Sequence, residues 1–506
     1  MAFAANVLLS IANPQSNKML RFRHAFTAVI MFLLLHAIAI AQDNHYSSMQ
    51  FGSRNSVLYN AGLSGFEDQS AVILNPATLS AATTSSFNFN TNAVGFNNIQ
   101  FKDGLGKGFT VRNSNINILP SMASGVIKPK NLGRSIVLGY ALYHSNTDNL
   151  DFANRAELKT DIINNTESPG SENYLAQYYL NTKLDEVSTV LGAGWRIGKH
   201  VSLGVSQTFL YRSQQYRDNF TANVLPERNA GASVSWIGTS YDIDARYYRI
   251  MTYTKLGLTA KAGEWNLGVV LTMPNLGIMG SGEMMADLSL INVRLPNAAS
   301  GPRNSYMANG RFEKLKVTYK NPLSMQLGAS RRFGNAIVYG GLSWYASVKE
   351  YTVMTPGEAP FLQPATSDNV LYTDNVLRVW DRKRAVLNAS IAADWIVRPD
   401  YHLLFSVRND NHSFEGDRSI DGFSMPKKNW NNYHLTLGTQ RDFGSSEWVV
   451  GLRFNTGGRD DYPQPFSFAD PTEDNLFQGD RKTGKITSSG LQLLLSYTFK
   501  FGGKDK

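Results

Sequence analysis

Alternation of hydrophobic and polar residues with a period of two dominates the chain from about residue 85 onward. In EWVVGLRFN (447–455) every second residue is Trp, Val, Leu or Phe, and in LQLLLSYTFKF (491–501) one face carries Leu, Tyr and Phe. The segments HVSLGVSQTFLYR, YHLLFSVR and EWNLGVVLT repeat the pattern. A period of two predicts strands of a sheet with one apolar face.

The connections between these segments alternate between short and long. Long polar stretches, predicted as loops, cover 145–185, 213–248, 275–320, 347–384, 409–431 and 456–487. Tight turns are predicted at 131–134, 196–200, 261–265, 331–336, 397–401 and 441–448. Such segregation is typical of outer-membrane β-barrels, which carry tight turns on the periplasmic rim and long loops outside. A soluble sandwich gives no reason for it.

The turns also give a strand count. Each tight turn joins two strands, and an opening strand near 85–96 and a closing strand near 488–501 raise the total to about 14. The sequence therefore predicts an all-β fold, a closed transmembrane antiparallel β-barrel. Closure removes the free edges of the sheet, whose backbone N–H and C=O groups could not form hydrogen bonds with lipid.

The N-terminus predicts export. In MLRFRHAFTAVIMFLLLHAIAIAQ (19–42) two arginines precede an apolar core that ends in Ala-Ile-Ala. This is the pattern of a signal peptide cleaved after Ala41, and the apolar core is shorter than the about 20 residues of a membrane span. We predict a signal peptide over 1–41, with Met19 as the natural start, a plug over 42–84, a barrel over 85–501 and a polar tail over 502–506.

Composition excludes several classes of function. The chain of 506 residues has no cysteine, so disulfides and thiolate chemistry are excluded. The 8 histidines show no metal-ligand spacing, and no motif gathers catalytic residues, so we expect a non-enzyme without metal or cofactor. The net charge of +9 is spread along the chain with no basic stripe, so we expect no nucleic-acid partner but contact with outer-membrane lipid and lipopolysaccharide.

A short apolar segment broken by proline precedes the first strand. The stretch EDQSAVILNPATLSAATTSSFNFNTNAVGF (67–96) turns from this segment into strand alternation. A barrel of about 14 strands has a lumen too wide for side chains alone to fill. Irregular backbone at membrane depth is tolerated where protein shields it from lipid. The sequence therefore predicts a plug inside the lumen.

This segment carries a resemblance to a known family. NAGLSGFEDQSAVILNPATLSA (60–81) resembles the N-terminal hatch of the FadL-type outer-membrane transporters of hydrophobic compounds. Asn75, Pro76 and Ala77 match the family's Asn-Pro-Ala signature, and Asp68 and Ser70 match the residues leading to it. Segments 254–283 and 319–351 are similar to that family's hairpins. The C-terminal strand departs from the family, because Phe501 is followed by GGKDK.

The resemblance implies passive uptake of hydrophobic small molecules, such as long-chain fatty acids, through a bacterial outer-membrane channel. An apolar internal pocket is expected, and strand parity points Arg212, Arg408 and Arg453 inward as candidates to bind a ligand carboxylate. One alternative is a barrel of the PorV type, which serves as a component of a secretion or surface-assembly system and binds secretion-system proteins. A general porin is a weaker alternative.

Overall fold

The chain folds into one closed β-barrel around an N-terminal hatch. The computed structural model describes residues 45–46, 49–129, 136–227, 231–294, 302–362, 372–415, 423–425 and 428–501. The predicted signal peptide and the polar tail lie outside these residues. One sheet contains 16 hydrogen-bonded strands and closes into a ring through the pairing of 201–225 with 237–262. Because the two strands at 276–293 and 304–315 form a hairpin that leaves the ring, the barrel has 14 strands, and this prediction is confirmed.

All neighbouring strands of the barrel are antiparallel, and β1 pairs with β18 to join the two ends of the sheet. The barrel strands are β1 (Ser85–Lys102), β2 (Val111–Ile127), β3 (Ile136–Thr160), β4 (Glu172–Arg196), β5 (Val201–Leu225), β6 (Ile237–Ala262), β7 (Trp265–Thr272), β10 (Ser324–Phe333), β11 (Ala336–Tyr345), β14 (Val386–Arg398), β15 (Tyr401–Asp410), β16 (Asn431–Asp442), β17 (Ser446–Pro463) and β18 (Thr483–Phe501). The remaining strands, β8 (Leu276–Val293), β9 (Asn304–Leu315), β12 (Val348–Met354) and β13 (Val379–Lys383), are not members of the ring.

The two rims differ as the sequence indicates, but three of the six long stretches, 145–185, 213–248 and 275–320, are mainly strand. The predicted turn at 131–134 lies outside the described residues. Strands β3 to β6 each run for 25 or 26 residues, so most of the stretch 145–185 and much of 213–248 is strand. A bilayer needs only about 9–11 residues per strand. The strands therefore continue into water, where their outward positions are polar, and this polarity made them look like loops in the sequence.

The outer surface carries an apolar band. On β5 the outward residues from Val201 to Tyr211 are mostly apolar, whereas Gln215 and Arg217 beyond them are polar. Exposed hydrophobic residues of the same kind continue around the ring, including Leu191, Leu256, Leu267, Leu327, Leu342, Ile391, Leu403, Leu437, Leu452 and Leu491. A closed barrel with such a band is the form in which chains cross the bacterial outer membrane, and this is an outer-membrane barrel.

The hatch consists of short helical turns connected by irregular backbone. It contains α1 (Asn55–Leu58), a 3₁₀ turn (Ala61–Leu63), α2 (Ala71–Leu74) and a second 3₁₀ helix (Pro76–Ala81), which leads into β1. Two apolar clusters join it to the wall: Val72 and Leu79 pack on β3 and β4, and Val57 packs on β15 to β18. No helix among the described residues is both long and apolar enough to cross a membrane.

A large apolar cluster closes the opposite end of the barrel. Its members come from the outer halves of β1 to β6, from β8, β9, β12 and β13, and from the β17–β18 connection. Phe466 of that connection stacks on Phe220 with ring centroids 4.4 Å apart, and Phe468 meets Phe109 at 5.2 Å. We call this cluster the aromatic cap. A third helix, α3 (Thr373–Val376), lies in the connection between β12 and β13.

Candidate functional site

Asp68 organises the first half of the hatch. Its carboxylate accepts hydrogen bonds from the backbone N–H of Asn55 (2.9 Å) and of Ser70 (2.8 Å), and from the side-chain amide of Asn55 (3.1 Å). The hydroxyl of Ser70 in turn accepts a hydrogen bond from the same amide at 2.9 Å. Asp68 and Ser70, singled out in the sequence, thus tie the start of α1 to the start of α2.

Asn75, Pro76 and Ala77 organise the second half. The Asn75 side chain accepts a hydrogen bond from the N–H of Ala77 at 3.1 Å and donates to the carbonyl of Leu63 at 2.7 Å. Pro76 stands at the start of the second 3₁₀ helix, where its missing N–H leaves no donor unsatisfied. Ala77 is fully buried. The signature therefore ends α2 and turns the chain toward the wall.

A belt of wall glycines lies against the hatch. A Cβ atom added at any of them would lie within 3.0 Å of a hatch atom, and for several the nearest atoms belong to the hatch backbone. At Gly204 the Cβ would lie 2.2 Å from the Ala77 nitrogen, and at Gly268 it would lie 1.7 Å from the Leu63 oxygen. The glycine belt consists of Gly139, Gly192, Gly194, Gly204, Gly257, Gly268, Gly328, Gly341, Gly438 and Gly451. The hatch is thus seated directly on the wall backbone.

An ionic cluster fixes the hatch to strands β11, β14 and β15. The guanidinium of Arg54 forms ion pairs with Asp394 and, at 3.2 Å, with Glu67. The hydroxyl of Tyr339 donates to Glu67 at 3.0 Å, and Nδ1 of His402 lies 2.8 Å from Asp394. These groups are buried or nearly so, and each charge has a partner, so removing one partner leaves a buried charge without compensation.

A cavity of about 200 Å³ lies between the hatch and the aromatic cap. Its lining is largely polar, and this corrects the expectation of an apolar pocket. Three cations line it, together with Glu186 and Asp381 and with Tyr253, Tyr319 and Tyr345. The three cations are Lys255, Arg212 and Lys383.

Arg212 is the only one of the three arginines singled out in the sequence that lines this cavity. It forms an ion pair with Glu186, hydrogen-bonds to Tyr247 (3.1 Å) and Gln214 (3.1 Å), and lies 3.9 Å from the ring centre of Tyr319. Its side chain is therefore held firmly at the cavity wall.

Arg408 and Arg453 also face inward and are buried, but they contact the hatch. Arg408 lies over the ring of Tyr59, 4.2 Å from its centre, and Arg453 donates to Gln50 at 3.2 Å. Arg453 also bonds to Gln492 of the neighbouring strand. Their contacts are those of residues that seat the hatch.

The barrel wall is interrupted beside the cavity. Strand β2 pairs with β3 only between Met122 and Ile127, and among the described residues the outer halves of the two strands share no ladder. The β3–β4 register shifts between His144 and Asn146, and Asn146 lines the cavity. Farther out the side chain of Asn115 bridges the gap by donating to a β3 carbonyl at 3.2 Å. The cavity therefore lies next to a lateral gap in the wall.

Sequence reasoning missed Lys255, Lys383, Arg54 and the glycine belt. Lys383 donates to the hydroxyl of Tyr319 at 3.0 Å, and Lys255 donates to the hatch carbonyl of Ile73 at 2.7 Å. Lys383 stands in a stretch that looked like loop, and strand parity gives no reason to single out Lys255. The belt did leave a signal, since the pair Leu-Gly recurs in many of the strands.

Comparison with known proteins identifies the fold. No protein-family model and no curated protein matches the sequence. The structure is similar to that of a Pseudomonas aeruginosa FadL homologue, with a TM-score of 0.52 and 13% identity over 90% of this chain and 100% of the other. The P. putida toluene transporter TodX gives a TM-score of 0.54 and 14% identity, with 90% and 99% covered. The Ralstonia pickettii toluene transporter TbuX gives 0.50 and 11%, with 90% and 100% covered.

These identities are too low to transfer a substrate, but the alignments extend over nearly the whole of each chain. The chain therefore has the fold of the FadL-type outer-membrane transporters of hydrophobic compounds, as its hatch sequence predicted.

Proposed function

We propose that the chain is an outer-membrane channel for the passive uptake of hydrophobic and amphipathic small molecules, such as long-chain fatty acids. The observation that carries the proposal is the cavity between hatch and cap, which lies beside the gap between β2 and β3. An apolar molecule gains about 25 cal/mol for each Å² of apolar surface that it removes from water. A lateral gap lets such a molecule pass between protein and membrane without crossing water.

The comparisons support this class of ligand. Two of the similar structures are described as toluene transporters and one as a FadL homologue. None of these descriptions names an enzyme, and a non-enzymatic role for this chain is part of the proposal.

The cavity's charges favour a ligand with an acidic head group. Its three cations outnumber its two carboxylates, so the lining has a surplus of one positive charge. Lys383 is the cation we single out, because among the described residues its buried ammonium group donates only to the neutral oxygens of Tyr319 (3.0 Å) and Lys320 (2.9 Å) at hydrogen-bond distance, and Asp381 lies farther away at 3.8 Å. An ammonium group binds a carboxylate through charge-assisted hydrogen bonds, which are about twice as strong as neutral ones.

The basic test compares cells with and without the gene for uptake of oleate, laurate and toluene. The proposal expects uptake of at least one of these compounds to fall when the gene is deleted and to return with the wild-type gene. Unchanged uptake across the panel, together with co-purification of secretion proteins in a fixed ratio, would instead favour the PorV-like role.

Lys383→Met tests the acid-binding part of the proposal. We expect it to lower oleate uptake by about tenfold, the effect of losing one charge-assisted hydrogen bond, and to leave toluene uptake nearly unchanged. Lys349→Met on β12 is the matched control, because Lys349 is exposed and does not line the cavity. Equal loss of oleate and toluene uptake would show that Lys383 maintains the structure and does not bind the acid.

A further inference from the structure

The wall has a second interruption, between β7 and β8. Strand β6 pairs with both, with Thr272 at the end of β7 and with Leu276 at the start of β8. On the other edge β7 pairs with β10, but the β8–β9 ladder begins only at Gly282. Among the described residues, the edge of β8 from 276 to 281 therefore has no ladder partner.

The local sequence explains the interruption. Pro274 lacks an N–H and cannot continue the ladder. The Asn275 side chain then donates to the carbonyl of Tyr319 at 2.8 Å and accepts from the N–H of Asn321 at 2.6 Å. These bonds hold residues 319–321 inside the wall, where Tyr319 and Asn321 line the cavity. The chain that would otherwise pair with β8 is thus kept in the lumen.

The free edge of β8 is apolar and uncovered on both faces. Leu276, Gly277, Ile278 and Met279 are four consecutive exposed residues, whereas a strand in a filled barrel alternates between exposed and buried positions. Just before the break Met273 is 41% exposed and also lines the cavity. The surface around Met273 therefore connects the cavity with the membrane side of the wall.

Arg249 lies at the inner rim of this opening. It stands between the buried, inward-facing Tyr247 and Met251, and its side chain crosses two glycines of β8. A Cβ atom at Gly277 would lie 1.6 Å from its Nη2 atom, and one at Gly280 would lie 2.8 Å from its Cδ atom. The Nε atom is buried, and no hydrogen-bond partner for it lies among the described residues.

The level of the opening is the outer edge of the membrane. Tyr248, next to Arg249, faces outward and stacks on Tyr211 with ring centroids 6.3 Å apart. Aromatic residues of this kind mark the membrane–water interface, where the head groups of amphiphiles lie. The aromatic cap closes the direct path from above, so a side opening at this level is the shorter path to the cavity.

We infer that the break between β7 and β8 is a second lateral passage, in which the edge 276–279 takes up an acyl chain and Arg249 binds its acidic head group. The inference rests on the proposed function. An arginine whose Nε atom has no hydrogen-bond partner in the described part of the chain, next to exposed Leu, Ile and Met side chains, suits an amphiphile that carries a carboxylate or a phosphate. The gap between β2 and β3 is separated from this break by the four strands β3 to β6, so the two openings would give the lumen two exits to the membrane.

The test is photolabelling of the full-length protein in phosphatidylcholine vesicles with a diazirine-bearing palmitic acid. We expect labelled peptides to include residues 276–279, and Arg249→Gln to lower that labelling by about tenfold, while Arg249→Lys restores part of it. Arg311→Gln on β9 is the control, because Arg311 is exposed and pairs only with the exposed Glu313 among the described residues. The alcohol analogue of the probe should label the edge weakly in every variant.

Competition separates the two sources of an acidic head group. Displacement of the probe by laurate but not by lipid A would identify a transported acid, and displacement by lipid A alone would identify a resident lipid and overturn the passage. Labelling that is absent from 276–279, or unchanged in Arg249→Gln, would also overturn it. If gene deletion abolishes oleate uptake while Arg249→Gln leaves it unchanged, the proposed function stands and this passage fails.

Discussion

Gly204 illustrates how much of the hatch–wall interface depends on single atoms. It pairs with Gly194 on one side and with Gly257 on the other, so three belt glycines lie side by side across β4, β5 and β6. Together they form a flat patch of wall backbone, on which the Asn75–Ala77 turn rests. The hatch signature and the belt are therefore two halves of one interface, although they are more than 100 residues apart in the sequence.

We expect Gly204→Ala to loosen the hatch. The new Cβ would lie 2.2 Å from backbone atoms of Pro76 and Ala77, which cannot rotate away as a side chain can. Overpacking of this kind costs about 1–3 kcal/mol, so amide exchange over residues 71–81 should become about tenfold faster or more. Hydrogen exchange followed by mass spectrometry measures this effect.

Gly340→Ala is the matched control for that substitution. Gly340 is also a strand glycine, but no atom of the described residues lies within 4 Å of a Cβ placed there. In Gly340→Ala the rate of amide exchange in the hatch should equal that of the wild type. Equal protection of the hatch in Gly204→Ala would mean that the contact relaxes at no cost and that the belt does not determine how the hatch is seated.

At the scale of elements, the hatch could be located from the sequence but its contacts could not. The break at Asn75-Pro76 and the absence of a regular period identify an irregular segment before the first strand. Which wall residues it meets depends on barrel closure, which brings Arg54 next to Asp394. No local pattern encodes a pair separated by 340 positions.

The strands could be predicted well inside the membrane and poorly above it. Positions such as Val205 and Phe209 alternate with polar neighbours, whereas beyond Tyr211 the outward residues are polar and the inward ones mix polar side chains with the aromatic Tyr216 and Phe220. The alternation persists there, but the outward residues are polar, so a search for strands with an apolar outward face misses these segments. The same lack of signal explains why the polar cavity and the hairpin β8–β9 were not anticipated.

The outer extension of β5 contains a carboxyl group whose raised pKa predicts that the stability of the cap depends on pH. Asp218 lies above the membrane-spanning part, is buried, and accepts hydrogen bonds from the hydroxyls of Tyr216 (2.8 Å) and Tyr241 (3.2 Å). Burial raises the pKa of Asp218 to about 7, although these hydroxyls oppose the shift. Because the folded pKa exceeds that of the unfolded chain, Asp218 favours the folded cap at low pH, and this contribution is lost as the pH rises from about 4 to about 7.

We therefore expect the cap of the wild type to be more stable at pH 5 than at pH 8, and Asp218→Asn to reduce this difference. Hydrogen exchange over 214–222, corrected for the intrinsic pH dependence, measures the local stability at both values. Asp244→Asn is a control on the neighbouring β6, since Asp244 pairs with the exposed Arg246. Identical pH dependence in the wild type and in Asp218→Asn would show that the carboxyl group is ionised throughout this range.

At the scale of the whole molecule, the lumen is closed twice. The hatch fills one end on the tight-turn side, the aromatic cap fills the other end, and the cavity lies between them. Both barriers have apolar faces, but the cavity between them is polar and charged. A ligand that passes sideways meets neither barrier, so the two closures are compatible with uptake along the wall, whereas ions and water moving along the barrel axis meet both.

Two barriers in series make a prediction about conductance. A barrel of 14 strands without its hatch has room for an aqueous channel, but the cap still blocks the outer end. We expect deletion of residues 42–81 alone to leave single-channel conductance in planar bilayers low. Because Pro463 and Thr483 are paired, residues 464–482 can be replaced by an Asn-Gly turn, and this change alone should also leave the conductance low. Both changes together should raise the conductance by about tenfold or more. Full conductance after deletion of the hatch alone would show that the cap is no barrier.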